Sequence, residues 1–203
     1  MPMQIKLNNK TVEVHPEETL IEVARREGYD IPSLCYAKGY KHKSSCMVCV
    51  VKNSVTGQVL PSCTTVPVEG MEIDTESDEV RQLRRQALEL LMSDHVAKCV
   101  PPCNPKHCAL MTLAASYKAK FNTYPRYSGL TQGEPVRIND HIVYDKMKCI
   151  RCGLCVYNTT DAFTFKGRGF SMEVVIPAES MGNVPDYVVS LCPTGAIYED
   201  ILK

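Results

Sequence analysis

The chain has 203 residues, room for one or two ordinary domains, and 23 basic residues against 23 acidic ones leave a formal net charge of +0. That balance excludes recruitment of nucleic acid or of an anionic membrane by bulk charge. No apolar run of about 18 residues and no apolar leader behind Met1-Pro2-Met3 occur, so a soluble, cytoplasmic protein without membrane insertion is expected.

Eleven cysteines dominate the composition. In a compartment that keeps thiols reduced, so many cysteines, odd in number, read as metal ligands rather than as disulfides. They divide without remainder into three sets, and the elements around each set are taken here in chain order.

Residues 4–7 and 11–14 alternate in strand fashion around Asn8-Asn9-Lys10, a hairpin turn. Thr19, with Glu17 and Glu18 before it and Leu20, Ile21, Val23 and Ala24 after it, opens a helix that stops at Gly28. Further strands over 47–51, 57–60 and 71–73 complete the order of a β-grasp, a ubiquitin-like half-barrel, and the first domain spans 1–77. Its cysteines, Cys35, Cys46, Cys49 and Cys63, have the spacing C-x10-C-x2-C-x13-C. One long loop plus one separate hairpin suits a flat [2Fe-2S] cluster, with backbone N–H groups aimed at sulfur. Structural zinc favours two short paired knuckles, and this set has only Cys46-x2-Cys49.

The next segment, 78–138, is helical. Residues 78–92 place Val80, Leu83, Ala87, Leu88, Leu90 and Leu91 mostly on one side of a helix that leads into His95. His95, Cys99, Cys103 and Cys108 then supply four positions for a [4Fe-4S] cluster, Pro101, Pro102 and Pro105 stiffen the loop, and a second helix covers 109–120. His107 competes with His95, but it adjoins Cys108, and neighbours in sequence seldom reach two corners of one compact cluster. A neutral imidazole in place of a thiolate removes one negative charge and raises the potential relative to a four-cysteine site.

The last domain, 139–203, opens with Cys149-x2-Cys152-x2-Cys155, the start of the bacterial ferredoxin run C-x2-C-x2-C-x3-C-P, whose fourth place is taken by Thr159. Cys192-Pro193 supplies the ending far downstream. The fourth cysteine of each run ligates the other run's cluster, so these four belong to one [4Fe-4S] centre. The second centre of a two-cluster ferredoxin would need cysteines at Thr159, Gly182, Pro185 and Val188 and has none. A hairpin over 162–177 turning at 166–169, and a short helix over 186–191, fill the interval.

The order of these motifs closely resembles the N-terminal iron-sulfur region of the large peripheral-arm subunit of respiratory complex I. The same region recurs in the small diaphorase subunit of NAD-reducing hydrogenases and in related bifurcating oxidoreductases. The resemblance implies an α+β chain: a β-grasp [2Fe-2S] domain, a helical segment whose cluster has one histidine and three cysteine ligands, and a bacterial-ferredoxin-like [4Fe-4S] domain. It implies one [2Fe-2S] and two [4Fe-4S] clusters that relay electrons between a flavin- and NAD(P)H-binding subunit and a second redox subunit or ferredoxin, in a hetero-oligomer. The middle set departs from the family pattern H-x3-C-x2-C-x5-C, reading H-x3-C-x3-C-x4-C. Neither GxGxxG nor GxxxxGK[ST] occurs, so no nucleotide loop and no catalytic residue is expected in this chain. Ending at Lys203, it is expected to be a free-standing small subunit without catalysis of its own beyond electron transfer. The competing reading is a zinc-stabilised binding module without redox activity.

Overall fold

Strands β1 (Met3–Leu7) and β2 (Lys10–Val14) form an antiparallel hairpin closed by Asn8 and Asn9, both in the left-handed region at φ 48° and 69°. Two such residues make the primed turn whose twist suits a two-residue hairpin. The structure, a computed structural model, describes residues 3–95, 108–125 and 133–200, except for the side chain of residue 94. By internal contacts the chain forms two compact units, Met1–Ser33 with Ser44–Leu88, and Leu34–Lys43 with Glu89–Lys203.

In the first unit, β3 (Val50–Asn53), β4 (Val59–Pro61) and β5 (Glu72–Asp74) join the hairpin in one five-stranded sheet of order β2-β1-β5-β3-β4. The central pair β1 and β5 is parallel, the arrangement of a β-grasp. Asn8 fastens that pair: its side chain donates to Thr75 Oγ1 at 2.7 Å and accepts the Thr75 N–H at 2.8 Å. Alternation turns Ile5, Leu7, Val12 and Val14 inward onto helix α1 (Leu20–Arg26), whose Leu20, Ile21, Val23 and Ala24 are buried. The Glu22 carboxylate accepts the Thr19 N–H at 2.9 Å, tying off the helix start, and Gly28 at φ 86° ends it as expected.

Helix α2 runs from Asp78 to His95, longer than the 78–92 expected. Its buried residues are Val80, Arg84, Leu88, Glu89, Met92 and His95, whereas Leu90, expected on the apolar face, is 53% exposed. The true stripe recurs every three or four residues, as helix geometry demands, and carries a buried arginine and glutamate that hydrophobicity alone passes over. Arg84 donates from Nε and Nη2 to the Val50 carbonyl at 3.0 and 2.8 Å, and Glu89 accepts the Lys120 N–H at 2.9 Å.

In the second unit, helix α3 (Ala109–Ser116) ends four residues before the expected 120. Two strands not anticipated from sequence, β7 (Ile142–Tyr144) and β10 (Ile197–Glu199), pair antiparallel, with β6 (Val136–Arg137) at the edge. These two strands pair across more than 50 residues of chain, with no local turn between them to mark the pairing. The expected hairpin is β8 (Thr164–Lys166) and β9 (Glu173–Val175), and helices α4 (Leu154–Asn158) and α5 (Tyr187–Leu191) complete the unit. Val184 and Val188 join Ile142, Phe163, Val174 and Ile197 in its core, so apolar packing occupies the region where a second ferredoxin cluster would have needed ligands.

The helix register is testable by truncation. Leu88→Ala, which empties a fully buried position, is expected to lower unfolding stability by about 2–5 kcal/mol in denaturant titrations, and Leu90→Ala by under about 0.5 kcal/mol. Equal losses would contradict this placement of the stripe.

Candidate iron-sulfur sites

The third cysteine set converges most completely. Cys149 closes a 3-10 turn (Lys146–Lys148) whose preceding Asp145 accepts the Met147 N–H at 2.9 Å, Cys152 and Cys155 bracket the start of α4, and Cys192 caps the end of α5. All four line one largely apolar pocket with Tyr144, Ile150, Leu154, Val174, Pro193, Ala196 and Ile197. Arg151 at φ 57° and Gly153 at φ 81° curl the CIRCGLC segment so that its amides face the sulfurs. The Arg151 N–H donates to Cys149 Sγ at 3.3 Å and the Ala196 N–H to Cys192 Sγ at 3.2 Å, while the N–H groups of Leu154 and Val156 bond Cys152 and Cys155.

Electrostatics at this pocket oppose bare thiolates. Burial pushes the Cys152 thiol up to about 12 against the pull of the Leu154 N–H, and Cys192, Cys149 and Cys35 push the same way. Burial likewise raises the Cys149 and Cys155 thiols, and it holds the Tyr144 hydroxyl far above its usual range, next to Cys149. Four ionised sulfurs therefore require a cationic group among them, and the amides then stabilise whatever negative charge remains. Among the described residues, no three histidine, cysteine, aspartate or glutamate side chains gather closely enough for a single metal ion.

The first set divides between the units: Cys46, Cys49 and Cys63 lie in the first and Cys35 in the second. All four are buried. Ser62, just before Cys63, donates from its hydroxyl to the Cys49 carbonyl at 2.6 Å, and the Ser62 and Thr65 carbonyls accept the first amides of α1, from Ile21 and Leu20. The helix start thus anchors the Cys63 turn, and the turn anchors Cys49. Arg84, which sequence reading did not single out, holds the Val50 carbonyl immediately after Cys49. The signal was its spacing: Arg84 stands four residues from both Val80 and Leu88, on the buried stripe, whereas Arg81 and Arg85 are exposed.

Of the middle set, His95 is 3% exposed at the last residue of α2, and Cys108 is buried at the start of α3. Cys99, Cys103 and the competing His107 lie outside the described residues. The Ala109 N–H, directly after Cys108, donates to the Pro193 carbonyl at 2.7 Å, directly after Cys192. The middle and third sets therefore adjoin through backbone.

Residues 1–78 match the family of 2Fe-2S iron-sulfur cluster binding domains, and residues 142–198, which contain all four cysteines of the third set, match the 4Fe-4S single cluster domain. The HndD subunit of the NADP-reducing hydrogenase of Solidesulfovibrio fructosivorans is 34% identical over 97% of this chain, which spans only 36% of that longer protein. The gamma subunit of the NAD-reducing hydrogenase HoxS of Cupriavidus necator is 29% identical over 98% of this chain and 88% of its own length. The 75 kDa subunit of the NADH-ubiquinone oxidoreductase of Reclinomonas americana is 27% identical over 96% of this chain and 29% of that protein. The chain carries one iron-sulfur cluster domain of each of these two families. The fold is shared with a crystal structure of NAD+-reducing [NiFe]-hydrogenase in the H2-reduced state, at TM-score 0.83 and 24% identity over 98% of this chain and 87% of that one. Cluster domains at both ends leave the zinc-scaffold reading unsupported. Among the described residues no helix is long and apolar enough to cross a membrane.

Gly153 offers a test of the third site. A Cβ there would stand 2.5 Å from the Tyr157 ring on a backbone at φ 81°. Gly153→Ala is expected to destabilise the chain by more than about 1 kcal/mol and to remove about four irons per chain on metal analysis. Full iron with unchanged stability would contradict the geometry.

Proposed function

We propose that this chain is a three-cluster electron relay within an NAD(P)H-linked, multisubunit oxidoreductase of the cytoplasm. Cys35, Cys46, Cys49 and Cys63 hold a [2Fe-2S] cluster. His95, Cys99, Cys103 and Cys108 hold one [4Fe-4S] cluster, and Cys149, Cys152, Cys155 and Cys192 hold another. The clusters supply one-electron oxidation and reduction; the protein's own groups bury them, exclude water and direct amides at their sulfurs. A flavoprotein subunit handling NAD(P)H stands at one end of the relay and a second redox subunit or ferredoxin at the other.

One observation carries the reading and adds an order to it. The third set, last in sequence, is the spatial neighbour of members of both others: Cys35 is close enough to raise the Cys152 thiol, and the residue after Cys108 is bonded to the residue after Cys192. Electrons therefore pass from the first set through the C-terminal cluster to the histidine-ligated one, or the reverse. The middle set, with its shifted inner cysteine, is the end of the internal wire. The similarity to the HoxS gamma chain over most of both proteins supports a separate small subunit.

Metal analysis of anaerobically purified protein is expected to give roughly ten irons and as many acid-labile sulfides per chain. His95→Ala is expected to alter one [4Fe-4S] EPR signal and leave the others unchanged. In the NAD(P)H-reduced complex, Cys192→Ala is expected to slow electron passage between the first and middle clusters by at least about tenfold in rapid-freeze EPR. Roughly six irons with an unaffected His95→Ala spectrum would remove the middle cluster from the relay, and zinc without iron would overturn the function.

A further inference from the structure

The segment from Ile31 to Val68 carries the whole first cysteine set and contains no aspartate or glutamate, although the chain as a whole is neutral. Within it, the run Lys38-Gly39-Tyr40-Lys41-His42-Lys43 begins three residues after Cys35 and presents Lys38, Tyr40, Lys41 and Lys43 to solvent. None of the three lysines enters an ion pair among the described residues. In a chain with as many acids as bases, a lysine cluster on an acid-free segment beside a cluster ligand is a local positive field that no ion pair among the described residues neutralises.

The loop is held in place from beneath. The Lys41 N–H donates to Asn158 Oδ1 at 2.7 Å, and Asn158 Nδ2 returns a bond to the Lys41 carbonyl at 2.7 Å, so the loop is clamped to α4, three residues beyond Cys155. Tyr40 stacks on Tyr187 with ring centroids 6.2 Å apart, and the Tyr187 hydroxyl donates to the Asn158 carbonyl. Lys43 Nζ lies 5.0 Å from the Tyr157 ring centre, and the loop and that ring line one open groove. Asp186, beside Tyr187, is engaged by His141 at 2.9 Å. Half-exposed tyrosines on a backbone held by hydrogen bonds, with charged side chains around them, match the aromatic centre and polar rim of a protein interface.

The geometry points to this loop, with Tyr157 and Tyr187, as the docking face for a one-electron carrier protein whose own exposed cluster or flavin is ringed by carboxylates. The inference rests on the relay reading above and names the place where a diffusing partner enters it. Lysines steer the acidic carrier, and the tyrosines supply contact area close to Cys35 and Cys152. One electron leaves the reduced carrier and enters the oxidised [2Fe-2S] cluster, or the reverse. No bond forms or breaks and no proton is required.

The test uses the full, cluster-loaded chain and an oxidised acidic plant-type ferredoxin as probe, titrated calorimetrically without reductant so that binding is read apart from electron transfer. The wild type is expected to bind at about 20 mM salt and to lose at least about tenfold in affinity at about 300 mM. The triple variant K38E/K41E/K43E is expected to bind at least about tenfold more weakly at low salt, with a flattened salt dependence, at unchanged iron content and unchanged midpoint potentials. Tyr40→Ala with Tyr187→Ala is expected to weaken binding while keeping the salt slope. Equal binding by the triple variant would overturn the proposal. So would a shifted midpoint potential with intact binding, since the lysines would then serve their own cluster, or resistance of these lysines to acetylation in the assembled complex, since a resident subunit would then cover them. A chain that purifies without iron defeats the relay itself; a loaded chain that ignores the ferredoxin defeats only the docking face.

Discussion

Burying several thiolates together is the constraint on which the rest of this structure depends. In the C-terminal pocket burial presses the Cys149, Cys152 and Cys155 sulfurs towards their protonated form, and neighbouring thiolates add to it, so ionised sulfurs there call for a cationic group among them. The backbone answers that constraint locally. One amide is turned onto every sulfur, and the positive φ values at Arg151 and Gly153 make that turn. The same arrangement that makes the apo site unfavourable makes the loaded site a tuned redox centre.

Loops that curl around clusters cannot also supply a large core, and the elements reflect this. Apart from α2, the described helices have five to eight residues and no described strand exceeds five. Such pieces hold through specific ties: the start of α1 on the Ser62 and Thr65 carbonyls, Arg84 on Val50, Asn8 on Thr75, Asn158 on Lys41. All but the Asn8 tie fix a ligand-bearing turn or a residue next to one. Metal binding then adds the stability that small cores lack.

A relay also requires its centres to be near one another, and sequence order is a poor guide to that. The C-terminal set stands beside Cys35 and Cys108 because the 34–43 loop joins the second unit and because α3 begins on the Pro193 carbonyl. Val184 and Val188 lie in an apolar core where the ligands of a second ferredoxin centre would stand, so that part of the fold is given to packing rather than to another cluster.

What the sequence alone determined is the cluster type at each end of the chain, a 2Fe-2S and a 4Fe-4S domain, because ligand separation along a loop limits which polyhedron the sulfurs can surround. Alternation and capping residues likewise revealed the β-grasp hairpin, α1 and most of α2, since these signals are local. Tertiary structure decided the rest. The strands β7 and β10 are three residues each and exist only as a pair between distant segments. Arg84 and Glu89 are buried because their partners are carbonyls and amides from elsewhere in the chain, and Leu90 is exposed because the helix's inward face is set by what it packs on. Adjacency of the third set to Cys35 and to Cys108 is likewise a long-range fact, carried by contacts between segments many residues apart, which no local pattern encodes.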